Sequence, residues 1–248
     1  MTAMTRLTQA GAVINAERIK LTTIRSPLWS TVAAAVLSLG IAALQAASAS
    51  EYNPLTAPEA ALGVAVFGVP VLMVVAAMTV TGEYRTAMIR TTFTASPDRT
   101  LVIGAKAVVA AVFSGAVAAL MVVGSMLVGG VGFGPDGWRT TAAMAVYAAL
   151  AAVLGVGVAA LLRHTAGAVT VLLLWPLLVE PLLANLPGRG AQIGPYLPFA
   201  NMFRFLEVEW LFPGFAPPWG VLGSLGYFAA IVLAVFVISL AVVNRRDA

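Results

Sequence analysis

Residues 82–106 form the longest polar interruption between two strongly apolar segments, and this pattern restricts the folds open to the chain. The charged residues of this stretch are Glu83, Arg85, Arg90, Asp98, Arg99 and Lys106. Positive charge beside apolar spans marks the cytoplasmic side of a membrane. Residues 83–96 can form one short helix that continues rigidly from a membrane span, and Pro97 prevents its extension. The face of this helix would carry Tyr84, Met88, Thr91 and Ala95. The alternative is an ordinary basic loop that only fixes the topology.

The scarcity of charge sets the fold class. Charged residues make up 10% of the 248 residues and apolar residues 60%, whereas soluble domains average about 25% charged residues. The composition therefore argues against a soluble fold and predicts an all-α polytopic membrane protein. We expect no nucleic-acid partner, because the arginines lie at the ends of apolar spans and not in a basic patch with interleaved aromatic residues. The chain has no cysteine and a single histidine, His164, which excludes disulfides, thiol nucleophiles and metal sites built from several cysteines or histidines.

Six apolar segments reach the length of about 20 residues that a bilayer requires, and we treat residues 1–248 as a single transmembrane domain. The predicted spans are residues 28–47, 60–81, 101–131, 140–162, 166–186 and 219–243. Pro70 should kink the second span, because proline lacks a backbone donor and crowds the preceding turn. The first span starts too late for a signal peptide, so we expect none.

Residues 1–27 are polar and mildly basic, and their apolar side chains recur at helical spacing. These side chains are Leu7, Ala10, Ile14, Leu21, Ile24 and Leu28. Basic residues border the stripe, as in an amphipathic helix that lies in the inner membrane interface. Glu17 interrupts the stripe. The alternative is a partly ordered tail.

Basic residues divide unevenly between the two sides of the predicted membrane. Eleven fall on one side and three on the other, which accounts for all 14 of them. The eleven are Arg6, Arg18, Lys20, Arg25, Arg85, Arg90, Arg99, Lys106, Arg163, Arg245 and Arg246, and the three are Arg139, Arg189 and Arg204. Lys and Arg accumulate in cytoplasmic segments, so we predict six spans with both termini in the cytoplasm. Because arginine, alanine, valine and glycine are abundant, we expect a bacterial cell membrane.

The segment before the last span is too apolar for a solvated loop and too broken by proline for a span. We predict that residues 187–218 form short re-entrant helices covered by protein, one of them over residues 201–211. Glu180 is the one ionisable residue deep within an apolar stretch. Such a residue is a functional candidate, because its burial in lipid is costly. It would contact substrate or act in gating; alternatively it lies near the outer end of the fifth span, paired with a loop arginine or facing water.

Motifs for nucleotide binding and catalysis are absent from the sequence. There is no Gly-x-x-x-x-Gly-Lys-Ser/Thr loop, so the chain does not bind ATP through a P-loop. There is also no His-Glu-x-x-His, no pair of intramembrane carboxylates and no Gly-x-Ser-x-Gly elbow. We therefore expect no enzyme activity and no cofactor on this chain.

Several groups of residues occur in a distinctive order over nearly the whole chain. They are Glu17-Arg18-Ile19-Lys20-Leu21 followed by Arg25-Ser26-Pro27-Leu28-Trp29, residues 82–92 with the later Lys106, Arg163-His164-Thr165-Ala166-Gly167-Ala168, and Tyr196-Leu197-Pro198. This order resembles that of an ABC-2 type permease, the membrane subunit of a bacterial ABC transporter with an ABCG-like, type V exporter fold.

The resemblance implies an N-terminal elbow helix, a cytoplasmic coupling helix within residues 83–96, a second contact at residues 163–167 and re-entrant external helices between spans five and six. The implied ATPase-coupling residues are Glu83, Tyr84, Arg85, Met88, Arg90 and Arg163. The implied partners are separately encoded ABC ATP-binding subunits, which carry the ATP and Mg, and a second permease subunit, identical or paralogous. Ala87 and Met88 replace the Gly-Thr that is common in the family's coupling segment.

A substrate path is predicted near Met73, Met78, Trp175 and Glu180, because methionine and aromatic surfaces accept varied hydrophobic ligands. The resemblance favours export, and we expect a hydrophobic or amphipathic compound such as a drug, lipid or peptide. A stand-alone secondary carrier or channel is the alternative, although the two halves show no convincing repeat. A membrane enzyme is a third hypothesis, opposed by the missing catalytic motifs.

Overall fold

The computed structural model describes residues 3–23, 25–50, 52–208, 210, 212, 214 and 217–245, with side chains from Thr8 onward. Predictions that involve Ile24, Glu209, Leu211 and Arg246, and the side chains of Arg6 and Leu7, lie outside the described residues. Over the described residues the chain is helical and contains no β-strand. The predicted all-α class is therefore confirmed.

Six helices in the described part of the chain are long and apolar enough to cross a membrane. They are Arg25–Ser48, Val64–Arg85, Arg99–Gly129, Pro135–Leu162, Thr165–Ala184 and Val221–Arg245. We number the α-helices in chain order as α1 (Ala3–Thr23), α2 (Arg25–Ser48), α3 (Ala57–Ala60), α4 (Val69–Arg85), α5 (Met88–Ala95), α6 (Arg99–Gly129), α7 (Pro135–Leu162), α8 (Thr165–Leu174), α9 (Glu180–Ala184), α10 (Gly190–Ile193), α11 (Pro198–Leu206) and α12 (Val221–Arg245). Residues Gly194–Tyr196 form a 3₁₀ turn before α11.

Prolines inside two of the long helices lie at π-helical turns. The turn Val64–Gly68 precedes Pro70 at the start of α4, and the turn Trp175–Val179 contains Pro176 and precedes Pro181. A π turn inserts one extra residue into the helix, so the carbonyls near a proline find other donors. The Glu180 backbone N–H, for example, donates to the carbonyl of Trp175, five residues earlier.

Helices α4 and α7 form the centre of the bundle. In the most apolar stretch of each span, 72% of residues are buried in the span that contains α4 and 56% in α7. The corresponding fractions are 17% in α2 and 22% in α12. Small residues permit close approach of the two helices. Gly155 in α7 packs directly against the Met73 carbonyl oxygen of α4, where a side chain would have no room. Helices that lack bulk at the contact can pack backbone to backbone in a membrane.

We expect Gly155→Ala to lower the free energy of unfolding by about 1–3 kcal/mol, because the added methyl group would overlap the Met73 carbonyl and force the two central helices apart. Gly104→Ala is the matched control, since no atom outside its own helix lies within 4 Å of the new methyl group. Thermal unfolding of the purified chain in micelles measures both variants. Equal midpoints for the two would contradict this packing.

The prediction of one continuous helix over residues 83–96 is wrong, because the segment is broken between Arg85 and Met88. α4 ends at Arg85, Ala87 adopts a left-handed conformation with φ of 58°, and α5 begins at Met88. The buried face of α5 consists of Ile89 and Phe93, in place of the predicted face. The segment between α4 and α6 is thus a helix, a sharp turn and a second short helix.

Two other predicted helices differ in their limits. The N-terminal helix ends at Thr23 and α2 already begins at Arg25, ahead of the predicted start of the first span. The helix predicted over residues 201–211 starts at Pro198 and ends at Leu206. Pro198 favours a helix start because its fixed φ suits the first turn and its missing N–H would lack a partner there.

Candidate functional site

Four charged side chains form a buried charge cluster, which we define as Glu17, Lys20, Glu83 and Lys106. The Lys106 ammonium lies 2.7 Å from Oε2 of Glu17 and 2.7 Å from Oε1 of Glu83. The Lys20 ammonium lies 2.8 Å from Oε1 of Glu17 and 2.7 Å from Oε1 of Glu83. The cluster has two positive and two negative groups and joins α1, α4 and α6 across 89 residues of sequence.

Lys106 is the centre of this cluster. Its side chain is 0% exposed, and a lysine ammonium has three protons to donate. The three acceptors are Glu17, Glu83 and the Thr79 carbonyl oxygen, the last at 3.2 Å. Every donor of Lys106 therefore has a partner, which buried charge requires.

Lys20 occupies the outer side of the cluster, with a side chain that is 35% exposed. Partial burial lowers the pKa of Lys20, but hydrogen bonds and charges from Glu17 and Glu83 outweigh burial and raise its pKa above the ordinary value. Lys20 therefore stays protonated at neutral pH.

Contacts between distant segments show that the cluster lies at one end of the bundle. The Arg163 guanidinium after α7 lies 5.1 Å from the centre of the Tyr84 ring, and the Arg99 guanidinium lies 5.2 Å from the centre of the Phe93 ring. Arg99 also donates to the Val243 carbonyl in α12 at 3.0 Å. We call this the basic end, because Lys20, Arg85, Arg99, Lys106 and Arg163 lie there.

Helix α5 lies at the basic end and is linked to the cluster. The Thr92 hydroxyl donates to Oε2 of Glu83 at 3.2 Å, and the buried Ile89 and Phe93 join the core. On the other face Met88 and Arg90 are exposed. This arrangement gives a short amphipathic helix whose inner face is fixed to the bundle and whose outer face is free for contact.

The predicted ATPase-coupling residues therefore occupy different environments. Arg85, Met88 and Arg90 are exposed, and Tyr84 and Arg163 contact each other at the basic end. Glu83 is buried in the charge cluster and faces lysines. A partner protein could reach the first three directly, whereas contact with Glu83 would require the cluster to open.

Glu180 neither pairs with an arginine nor faces water within the described residues, and its role in substrate contact or gating stays a prediction. Its carboxylate is fully buried and accepts hydrogen bonds from the Trp175 indole at 2.8 Å, the Phe199 backbone N–H at 2.8 Å and the Ala200 backbone N–H at 3.1 Å. Phe199 and Ala200 belong to the first turn of α11, whose N–H groups have no partner within the helix. Glu180 thus caps α11, and among the described residues it forms no ion pair.

The opposite end of the bundle is closed by α11 and its neighbours. Asn201 donates to the Pro195 carbonyl at 2.8 Å and accepts from the Trp219 indole at 2.9 Å. The rings of Trp219 and Tyr227 stack with centres 4.9 Å apart. These contacts attach α11 to the start of α12.

The predicted substrate-path residues do not form one site. Met73 is buried between α4 and α7, while Met78 lines a cavity at the basic end. The Trp175 indole donates to Glu180, which also accepts from the backbone of α11. The four residues therefore lie in three separate places.

Sequence reasoning missed the pairing of Glu17, Lys20, Glu83 and Lys106. A signal was present, since Glu17 interrupts an apolar stripe and Lys106 lies inside the long apolar segment that becomes α6. Charges in such positions need partners, so each of the two residues indicated an opposite charge nearby without identifying it. Among the described residues there is also no group of three or more His, Cys, Asp or Glu that could bind a metal.

Comparison with known proteins gives no family assignment. No protein-family model matches the chain, and a search of curated proteins finds no match.

Proposed function

We propose that this chain is the permease subunit of an ABC transporter of the ABC-2 type. In this proposal two permease subunits form the translocation path, and two separate ABC ATP-binding subunits, which bind the ATP and Mg, drive the export of a hydrophobic or amphipathic compound. The chain lies in the bacterial cell membrane with both termini in the cytoplasm, and the basic end faces the cytoplasm.

The observation that carries the proposal is α5. This eight-residue helix lies between two long apolar helices, buries Ile89 and Phe93, and exposes Met88 and Arg90. An ATPase that binds the exposed face would move α5 and, through the Thr92–Glu83 hydrogen bond and the charge cluster, also α1, α4 and α6. Proteins switch between discrete packed states in this way, because packed cores are not continuously deformable.

The break at Ala87 modifies the mechanism. α5 does not continue α4 as a straight lever, so the force passes through side chains: Glu83 to Thr92, and Arg163 to Tyr84. The external helix α11, capped by Glu180, then acts as the re-entrant element that closes the outer side. Nucleotide binding supplies the difference in affinity between the inward and outward states.

The double variant Arg85→Glu, Arg90→Glu tests the proposal in the assembled complex. We expect a loss of most ATPase stimulation by cargo, about tenfold or more, because two exposed cations at the contact become anions, which reverses the charge that this surface offers to the partner. Arg18→Glu is the matched control, since Arg18 is exposed on α1, away from α5. Stimulation that survives unchanged in the double variant would refute this interface.

A stand-alone carrier is the second candidate, and Glu180 favours it. A buried carboxylate without an ion pair in the described part of the chain is typical of proton-linked transport. Reconstitution of the chain alone separates the two candidates: cargo movement driven by a proton gradient without any other subunit supports the carrier, and its absence supports the ABC permease.

A further inference from the structure

A cavity of about 280 Å³ lies at the basic end between α1, the start of α2, the end of α4 and α5. Its walls include Leu21, Pro27, Met78 and Met88, which are apolar. The size is just below the range of about 300–1,000 Å³ that is usual for small-molecule sites. Two methionines give such a wall the ability to adapt to flexible hydrocarbon.

Charge is distributed unevenly over this cavity. Arg85 and Lys20 line it, as do Glu17 and Glu83. The two carboxylates are only 5% and 8% exposed and bind the lysines, whereas the Lys20 side chain is 35% exposed. Arg85 is exposed and has no ion pair within the described residues. If Lys106, which contacts both carboxylates, is included, the cavity and its surroundings hold three positive groups and two negative groups.

The cavity also has a direction. Met78 precedes Arg85 by seven residues on α4, a separation of about 10 Å along a helix at 1.5 Å per residue. The polar group of a ligand can therefore bind at Arg85 while an alkyl chain extends past Met78 toward the apolar part of the bundle.

We propose that this cavity binds a single-chain amphiphile with an anionic head group. The head group bonds to Arg85 and the exposed side of Lys20, and the chain packs against Leu21, Pro27, Met78 and Met88. A charge-assisted hydrogen bond from arginine to an anion is about twice as strong as a neutral one, so Arg85 favours an anionic head group. A cavity of about 280 Å³ has room for one alkyl chain and not for two. Because the ligand contacts α1, α2, α4 and α5 together, its binding stabilises one relative arrangement of these helices. The site does not depend on an ATPase partner.

Binding of monododecyl phosphate to the isolated full chain tests the proposal. The chain is placed in phosphatidylcholine nanodiscs, and binding of the radiolabelled compound is measured with empty nanodiscs subtracted. We expect saturable binding at one site and no competition by inorganic phosphate. Dodecanol and dodecyltrimethylammonium should both compete more weakly than unlabelled monododecyl phosphate. The first competitor lacks the chain, the second lacks the charge and the third reverses it.

Variants locate the binding. Arg85→Gln should raise the dissociation constant about tenfold or more, because it removes a charged hydrogen bond, and Arg85→Lys should restore most of the affinity. Met78→Trp should fill the wall and abolish binding. Arg18→Gln, on the same end but lining a different cleft between α1 and α6, should change the constant less than twofold. The proposal would be overturned if Arg85→Gln left the affinity unchanged, or if Arg85→Gln and Arg18→Gln lowered the affinity equally. It would also be overturned if dodecyltrimethylammonium competed as strongly as monododecyl phosphate.

Discussion

Replacement of Lys106 by methionine is expected to lower the free energy of unfolding by about 3–5 kcal/mol, because it leaves buried carboxylates without their main partner. In the native chain Glu17 and Glu83 both contact the Lys106 ammonium at 2.7 Å, and the carboxylates are 5% and 8% exposed. Methionine is similar in length but cannot donate. Thermal unfolding of the purified variant in micelles is the measurement.

Lys20→Met is the matched control for this prediction. Lys20 contacts the same two carboxylates, but its side chain is 35% exposed, and ion pairs reached by solvent contribute about 0–1 kcal/mol. We therefore expect Lys20→Met to cost about 1 kcal/mol or less. Glu17→Gln combined with Lys106→Met should recover part of the loss, since it removes one uncompensated charge. Equal losses for the two lysines, or a neutral Lys106→Met, would contradict the role of Lys106.

Replacement of Glu180 by leucine is expected to release α11 from the bundle. The change leaves two buried donors, the backbone N–H groups of Phe199 and Ala200, without an acceptor, and it also removes the acceptor of the half-exposed Trp175 indole. Each unpaired buried donor costs about 1–3 kcal/mol, so the total is about 2 kcal/mol or more. The local readout is amide hydrogen exchange of residues 198–206, which should become much faster.

Two further substitutions refine the Glu180 prediction. Glu180→Gln keeps one amide oxygen for the backbone N–H groups but turns an NH₂ group toward the Trp175 indole, so an intermediate effect is expected. Glu207→Gln is the control, because Glu207 pairs with Arg139 at 2.7 Å in an exposed position, 55% and 38% accessible. Its effect should stay within about 1 kcal/mol. Unchanged exchange of α11 in Glu180→Leu would show that other contacts alone fix this helix.

The number and type of the long helices could be predicted from the sequence, because apolar runs of bilayer length separated by polar residues admit few other structures. The approximate positions of the exposed Met88 and Arg90 between two spans could also be predicted. These features depend on residues close together in the chain.

The charge cluster could not be predicted, because it depends on how α1 packs across α6. Glu17 and Lys106 are 89 residues apart, and no local pattern specifies that contact. The sequence alone shows Glu17 only as an interruption of an apolar stripe, whereas in the structure Glu17 forms an ion pair with Lys106.

The turn at Ala87 was missed for a related reason. Alanine is the best helix former, and only glycine, asparagine and aspartate visit the left-handed region readily. In the structure Ala87 has φ of 58° because Ile89 and Phe93 must reach the core from the direction that α5 takes. Tertiary burial outweighs the local preference at this position.

Photo-crosslinking at Met88 tests most directly whether an ATPase binds the basic end. A photoreactive phenylalanine analogue replaces Met88, which is 53% exposed on α5, or Trp138, which is 58% exposed at the start of α7 and serves as the control. The full chain is expressed in its native membrane, illuminated and purified under denaturing conditions. We predict a covalent adduct with a P-loop ATPase from position 88 and none from position 138. The absence of an ATPase adduct at position 88, with the substituted protein present in the membrane at normal levels, would contradict the account.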